Sequence, residues 1–313
     1  MIKGLAITPP VIGRISIGKL IQKDHKWLPE KDDSFTLTTQ IQQREGWMLH
    51  PLHQTLSEHA PNGKLRAIPV RLLFNRSDLN LRAEYSAFDR QTGRPLCVGN
   101  GESARRVTQA GLEEVSCPSP DRCPFGQSVG CKLYGRLNVQ VDGQQDALGT
   151  FIFRTTGYNS VRTLAARLRY FEAISGGHSQ YLPLLLRLRA KTTTQSYRSP
   201  VYFVDLTLRE GDDLADVVAQ ARAAAAHAKA VGIDTDQLEA AAWQLLQNGQ
   251  FEDTVEEVPQ LLEEFYPVTE PPDGAGGSPP LNPTPTTPTR SVRLTRQLGK
   301  AAPAPSETPQ PTP

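Results

Sequence analysis

The sequence predicts an α+β fold: a largely antiparallel sheet with a four-cysteine, metal-stapled loop, C-terminal helices and a disordered Pro-rich tail. Three observations carry this. Short, alternating apolar runs separated by turn residues occupy most of residues 1–210. Helix-spaced apolar residues start near Asn159, and an Ala-rich stretch follows Asp212. From Pro267 onward, 13 of the 26 prolines fall among Thr, Ser, Gly and Ala, a composition with little apolar surface to bury.

In order, Lys3–Thr8 and Val11–Gly18 read as strands broken by Pro9 and Pro10. Ser34–Ile41 alternates Phe35, Leu37, Thr39 and Ile41, as a half-buried strand does. Leu65–Phe74 and Leu79–Phe88 read as two strands, with a third ending at Cys97. Tyr134–Val141 and Gly149–Thr156 form the next pair. A helix follows, capped by Asn159 or Ser160, carrying Val161, Leu164, Leu168 and Phe171 on one face and stopped by Gly176 and Gly177. Leu182–Arg189 and Pro200–Leu208 are two more strands. Leu214–Ala230 is a helix with Asp212 and Asp213 at its positive end, and Asp234 caps another through Gln247. The expected organisation is a core over residues 1–210, an acidic helical segment over 211–266 and a tail over 267–313.

All four cysteines lie between Cys97 and Cys131, spaced C-x19-C-x5-C-x7-C. Cys117, Cys123 and Cys131 sit among Pro and Gly, which predicts a tight irregular loop rather than a helix or strand. Such a loop has few apolar side chains, and a Zn2+ held by the thiolates of Cys97, Cys117, Cys123 and Cys131 would pin it to the sheet. Four thiolates leave no open position, so this site is structural. An iron–sulfur cluster takes the same ligands, and four metal-free thiols are the remaining alternative. Disulfides need an oxidising compartment, and the N-terminus does not read as a signal peptide.

The net charge of +1 hides a segregated pattern. Residues 151–209 carry nine basic side chains (Arg154, Arg162, Arg167, Arg169, Arg187, Arg189, Lys191, Arg198 and Arg209) against two acids, and residues 210–267 carry thirteen acids against two bases. All of these basic residues except Arg209 are candidates for contact with DNA phosphates; the competing expectation is pairing with the downstream acids. His50, His53 and His59 cluster without an HExxH pattern. Walker, GxSxG and GxGxxG motifs are absent, as is the His-x-Glu of zinc deaminases, so nothing in the sequence asks for catalysis. No apolar run reaches membrane-spanning length, which predicts a soluble, cytoplasmic protein with no membrane partner.

Several stretches carry a resemblance. They are Lys3–Ile15, Glu84–Pro95, the cysteine stretch running into Lys132–Asn138, and Phe153–Leu164. Together they are similar to the recombination directionality factor-like proteins of phages and integrative conjugative elements, which often carry the label "hydrolase or metal-binding protein". The likeness spans roughly residues 1–210. It implies a non-enzymatic accessory factor that binds a site-specific serine integrase and switches it from integration to excision, with or without DNA contact. It also implies metal at the Cys117, Cys123 and Cys131 motif. The label leaves a second expectation open, a metal-dependent hydrolase or nuclease.

Overall fold

A computed structural model describes residues 10–23, 26–43, 46–192, 200–248, 261–262 and 265–266. The expected strand at Lys3–Thr8, most of the acidic segment after Asn248, and the Pro-rich tail lie outside the described residues. The chain divides into a unit of residues 1–268 and another of 269–313.

Twelve strands among the described residues form one large sheet, mostly antiparallel. It begins with β1 (Val11–Lys23), β2 (Lys26–Gln43) and β3 (Gly46–Leu49), followed by the helix α1 (Pro51–Glu58). Next come β4 (Ala67–Arg71), the single turn α2 (Ser77–Asn80) and β5 (Leu81–Phe88). Then follow β6 (Pro95–Gly99), β7 (Ser103–Thr108), β8 (Gly111–Ser116) and the short α3 (Pro124–Val129). The chain continues through β9 (Lys132–Val141), β10 (Thr150–Thr155), α4 (Tyr158–Ser175), β11 (Leu184–Thr192) and β12 (Pro200–Leu208), and ends in α5 (Leu214–Ala230) and α6 (Thr235–Asn248). The main path runs β3-β2-β1-β10-β9-β5-β6-β7-β8. β1 and β10 are parallel, with Ile15 opposite Phe153. β4 joins β9 to β11, since Val70 lies opposite both Val141 and Leu184.

Alternation decides which face is apolar. Leu137, Val139, Val141, Phe151, Phe153, Ile15 and Leu37 point to one side, where Leu164, Leu168 and Phe171 of α4 and Val217 and Ala221 of α5 complete the core. Each such fully buried Leu, Val, Ile or Phe side chain stabilises by about 1.5–3 kcal/mol. β12 pairs only with β11 among the described strands, and its Val204 N–H donates to Ser160 Oγ at 3.1 Å. Helix α4 thereby covers the free edge of β12.

Three local expectations change. The strand expected over Leu65–Phe74 stops at Arg71, because Asn80 Oδ1 accepts the N–H groups of Leu73 (3.2 Å) and Phe74 (3.1 Å) and turns the chain out of the sheet. The cap of α4 is Gly157, and Ser160 spends its hydroxyl on β12 instead. The cysteine region is not irregular throughout: it contains the β7–β8 hairpin and α3. Backbone pairing of Arg105 with Glu114 and Arg106 with Glu113 supplies order there without many apolar side chains. By contrast α5 starts where Asp213 predicts, its carboxylate accepting the N–H of Ala215 at 2.9 Å and of Asp216 at 3.2 Å.

Candidate metal centre and basic surface

Cys97 lies in β6 between Ala87 of β5 and Arg106 of β7, and is 8% exposed. Cys117 follows β8, its N–H donating to the Glu102 carbonyl at 2.9 Å. The knuckle between Cys117 and Cys123 turns through Ser119 at φ 74°, ψ 158°, a region that side chains other than glycine rarely adopt. Cys123 caps α3, its Sγ accepting the Gly126 N–H at 3.3 Å. Gly130, at φ 76°, ends the helix and returns the chain to Cys131, whose N–H donates to the Gly126 carbonyl at 2.7 Å.

Two glycines allow the thiols to gather. A Cβ on Gly99 would sit 2.8 Å from Cys117 Sγ, and one on Gly126 would sit 3.1 Å from Cys131 Cβ and 3.3 Å from Cys123 Cβ. All four cysteines line one cavity of about 10 Å3, close to the volume of a single water-sized sphere. Arg106 stands over it, with Nη2 3.6 Å from Cys123 Sγ and the guanidinium 4.1 Å above the Phe125 ring. Hydrogen bonding to Cys97 raises the Arg106 pKa further. Burial, reinforced by Cys97, Cys117 and Cys123, pushes the Cys131 thiol up to about 12.

Four thiols are the donor set that a thiophilic ion takes. The N–H donors of Gly126 and Arg106 supply the outer hydrogen bonds that bound thiolates receive. Among the described residues no three or more His, Cys, Asp or Glu side chains stand at metal-holding separations. The thiols share a cavity without being drawn onto a centre, so the fit is one of chemistry.

The histidine cluster does not converge. His50 Nδ1 accepts the Leu52 N–H at 3.2 Å and caps α1, while His53 Nδ1 accepts the Leu37 N–H at 3.4 Å. Burial lowers both pKa values and keeps these rings neutral acceptors. His53 also lines a larger cavity, of about 560 Å3, with Lys19, Phe35, Trp47 and Lys64. Both lysines there are paired, Lys19 with Glu30 at 3.2 Å and Lys64 with Asp32 and Asp33.

The basic candidates separate into groups. Arg162 and Arg169 are exposed on α4. Arg167 Nε (2.9 Å) and Arg189 Nε (3.5 Å) meet on the Asp205 carboxylate, and Arg187 pairs with Glu210 at 2.8 Å. Lys191 Nζ reaches Asn159 Oδ1 at 3.5 Å, at the start of α4. Arg198 lies outside the described residues. Arg154 leaves the set, because it is only 5% exposed and sits opposite Arg136 in the sheet. Strand alternation puts its side chain on the covered outer face of the sheet rather than on the surface of α4. Arg82, Arg136 and Arg154 stand in register on adjacent strands, Arg82 half-buried and the other two buried, with Arg14 also buried on β1. Sequence reasoning missed this row, since arginines at the polar positions of alternating strands read as solvent-facing. It also missed Arg106, whose only signal was its place in the hairpin next to Cys97.

The family model described as Gp3-like, recombination directionality factor-like, matches residues 12–209. The chain belongs to the recombination directionality factor-like family. The matched range covers every strand from β1 to β12, α4 and all four cysteines, and leaves out α5 and α6. No curated protein and no solved structure matches the chain. Within this family member no described helix is long and apolar enough to cross a membrane.

Proposed function

We propose that the protein is a non-enzymatic accessory factor of mobile-element recombination that acts on a serine integrase and favours excision over integration. The family match over residues 12–209 carries this reading. In this reading Cys97, Cys117, Cys123 and Cys131 hold one Zn2+. Four thiolates around one tetrahedral Zn2+ are a common structural site, and an iron–sulfur cluster is the alternative on the same ligands. The metal would supply folding energy and hold α3 and the β7–β8 hairpin to β6; with four thiolate ligands it keeps no open position for water. Arg106 and the Gly126 N–H would orient and neutralise the sulfur charge.

The test is a recombination assay with a serine integrase of the same mobile element, on paired attachment-site DNAs, with and without the protein. The expected result is excision only when the protein is present and suppressed integration. Unchanged integrase directionality overturns the reading. The same preparation incubated with DNA and Mg2+ or Mn2+ tests the nuclease alternative, for which cleavage is the positive result.

A further inference from the structure

We propose that the outer face of α4, together with the neighbouring end of β11, binds the phosphate backbone of duplex DNA. The proposal rests on the recombination reading only for the choice of DNA as the polyanion; the surface itself is argued from charge and shape.

Arg162 and Arg169 lie two helical turns apart on the face of α4 opposite Leu164 and Leu168, about 10 Å along the axis. Two cations at that separation can each meet a phosphate of one duplex, whose charges are closely spaced along its axis. Both are exposed and have no ion-pair partner among the described residues. Around them stand Tyr158, 65% exposed, and Tyr170, 52% exposed, whose hydroxyls suit sugar and phosphate oxygens. On the flank, Arg167 and Arg189 share the single carboxylate of Asp205, and Lys191 meets α4 at Asn159. Five cations against Asp205 and the helix's own Glu172 leave a local charge of +3. Glu172, the acid within α4, is occupied on another side by the Ser77 N–H at 2.9 Å. The acids Asp212, Asp213 and Asp216 belong to the start of α5, which follows Leu208, and Leu208 pairs with Leu184 at the opposite end of β11 from Lys191.

Shape selects among polyanions. Between the two arginines the helix presents Ala166, and beyond them Ala173, both exposed. The face is therefore convex and shallow, without the apolar pocket that anchors a protein hot spot. Small residues between long cations let a broad charged rod lie against the helix. The contact expected is sequence-independent, since phosphates position a protein without reporting base identity.

The experiment measures binding of the full chain to a fluorescent 25-base-pair duplex of arbitrary sequence by anisotropy, across a salt series. With about four phosphate contacts, affinity should fall about 100-fold between 50 and 200 mM salt. The pair Arg162→Glu with Arg169→Glu should weaken binding at least about tenfold at 50 mM and make the logarithmic salt slope shallower by about two. Arg94→Glu, on the exposed β5–β6 turn, should leave both unchanged. A circular dichroism melt confirms folding, and the milder pair Arg162→Gln with Arg169→Gln replaces the reversal if that melt changes. Undetectable binding at 50 mM overturns the proposal, as does an equal effect from Arg94→Glu. If the α4 variants bind DNA normally but fail in the recombination assay, the surface faces the integrase and the DNA proposal is overturned while the functional reading stands. If they lose DNA binding while the wild-type chain has no effect on recombination, the DNA surface stands and the functional reading falls.

Discussion

The centre of the sheet and its cysteine-bearing end are built from different materials. Around β9, β10 and β11 the inward positions are Leu, Val, Ile and Phe, closed off by α4 and α5. At the β6–β7–β8 end the buried apolar cluster shrinks to Ala87, Cys97 and Ala104, with Leu96, Val115, Phe125 and Val129 only partly covered. Nearly every residue of β8 is exposed. The centre is held by area removed from water, whereas the end has too little such area. It relies on ladder hydrogen bonds and on Arg106 packed over Phe125. The lesson is that one sheet can change its source of stability along its width.

The sharpest way to break this contrast is at the thiols. In the zinc reading, Cys123→Ser should reduce bound zinc from about one equivalent to none by elemental analysis, because metal binding at such a site is folding free energy, on the order of 10 kcal/mol in isolated zinc modules. Hydrogen exchange should then speed up in β7, β8 and α3 while β9 and β10 keep their protection. Metal-free wild-type protein with equal protection at both ends would end the zinc reading. The reciprocal change is Phe153→Ala in the centre, expected to cost about 3–5 kcal/mol in denaturant unfolding and to leave zinc content unchanged in the folded fraction.

Smaller changes sharpen the comparison. Gly99→Ala would place a Cβ 2.6 Å from Ala104 Cβ and 2.9 Å from the Ser103 carbonyl. It should destabilise by about 1–3 kcal/mol and loosen the hold on metal, read as faster transfer of zinc to a chromogenic chelator. Ser119→Gly relieves the backbone at φ 74° and should stabilise the knuckle by about 1 kcal/mol, read by melting. The smallest effect lies in a third cluster, where α6 packs Ala242 against Phe74 and Leu79. There Glu239 accepts the Asn75 N–H, and burial raises its pKa. A raised carboxyl contributes stability below the ordinary carboxylate range and loses it as pH rises through the folded value. Glu239→Gln keeps the acceptor and removes the charge, so Tm should rise by about 2 °C at pH 7 and not at pH 4.

The strands and helices were legible wherever one face was apolar. Leu137, Val139 and Val141 declare β9, and Asp213 declares the start of α5. Legibility failed where polar atoms redirect the chain. Asn80 ends β4, Ser160 gives up capping to bind Val204, and the Pro- and Gly-rich cysteine region hides a hairpin made by backbone pairing. Of the candidate metal site, the four thiols were legible from spacing alone and share one cavity. Arg106 was not, because only the β6–β7 register brings it opposite Cys97. The buried arginines were hidden for the same reason, since a charged residue at an alternating position is read as wet until the neighbouring strands are known.

The parallel pairing of β1 with β10 sets a timetable for synthesis. Ile15 must wait for Phe153, and Val70 for Val141 and then Leu184, before each has both its neighbours. At roughly 5–20 residues per second on the ribosome, the first of these waits lasts on the order of 10 s. Throughout it the β1–β2 hairpin carries an unpaired edge and an apolar face exposed to other nascent chains. Slower elongation near β10 should therefore lower soluble yield, and a chaperone that shields the early hairpin should restore it.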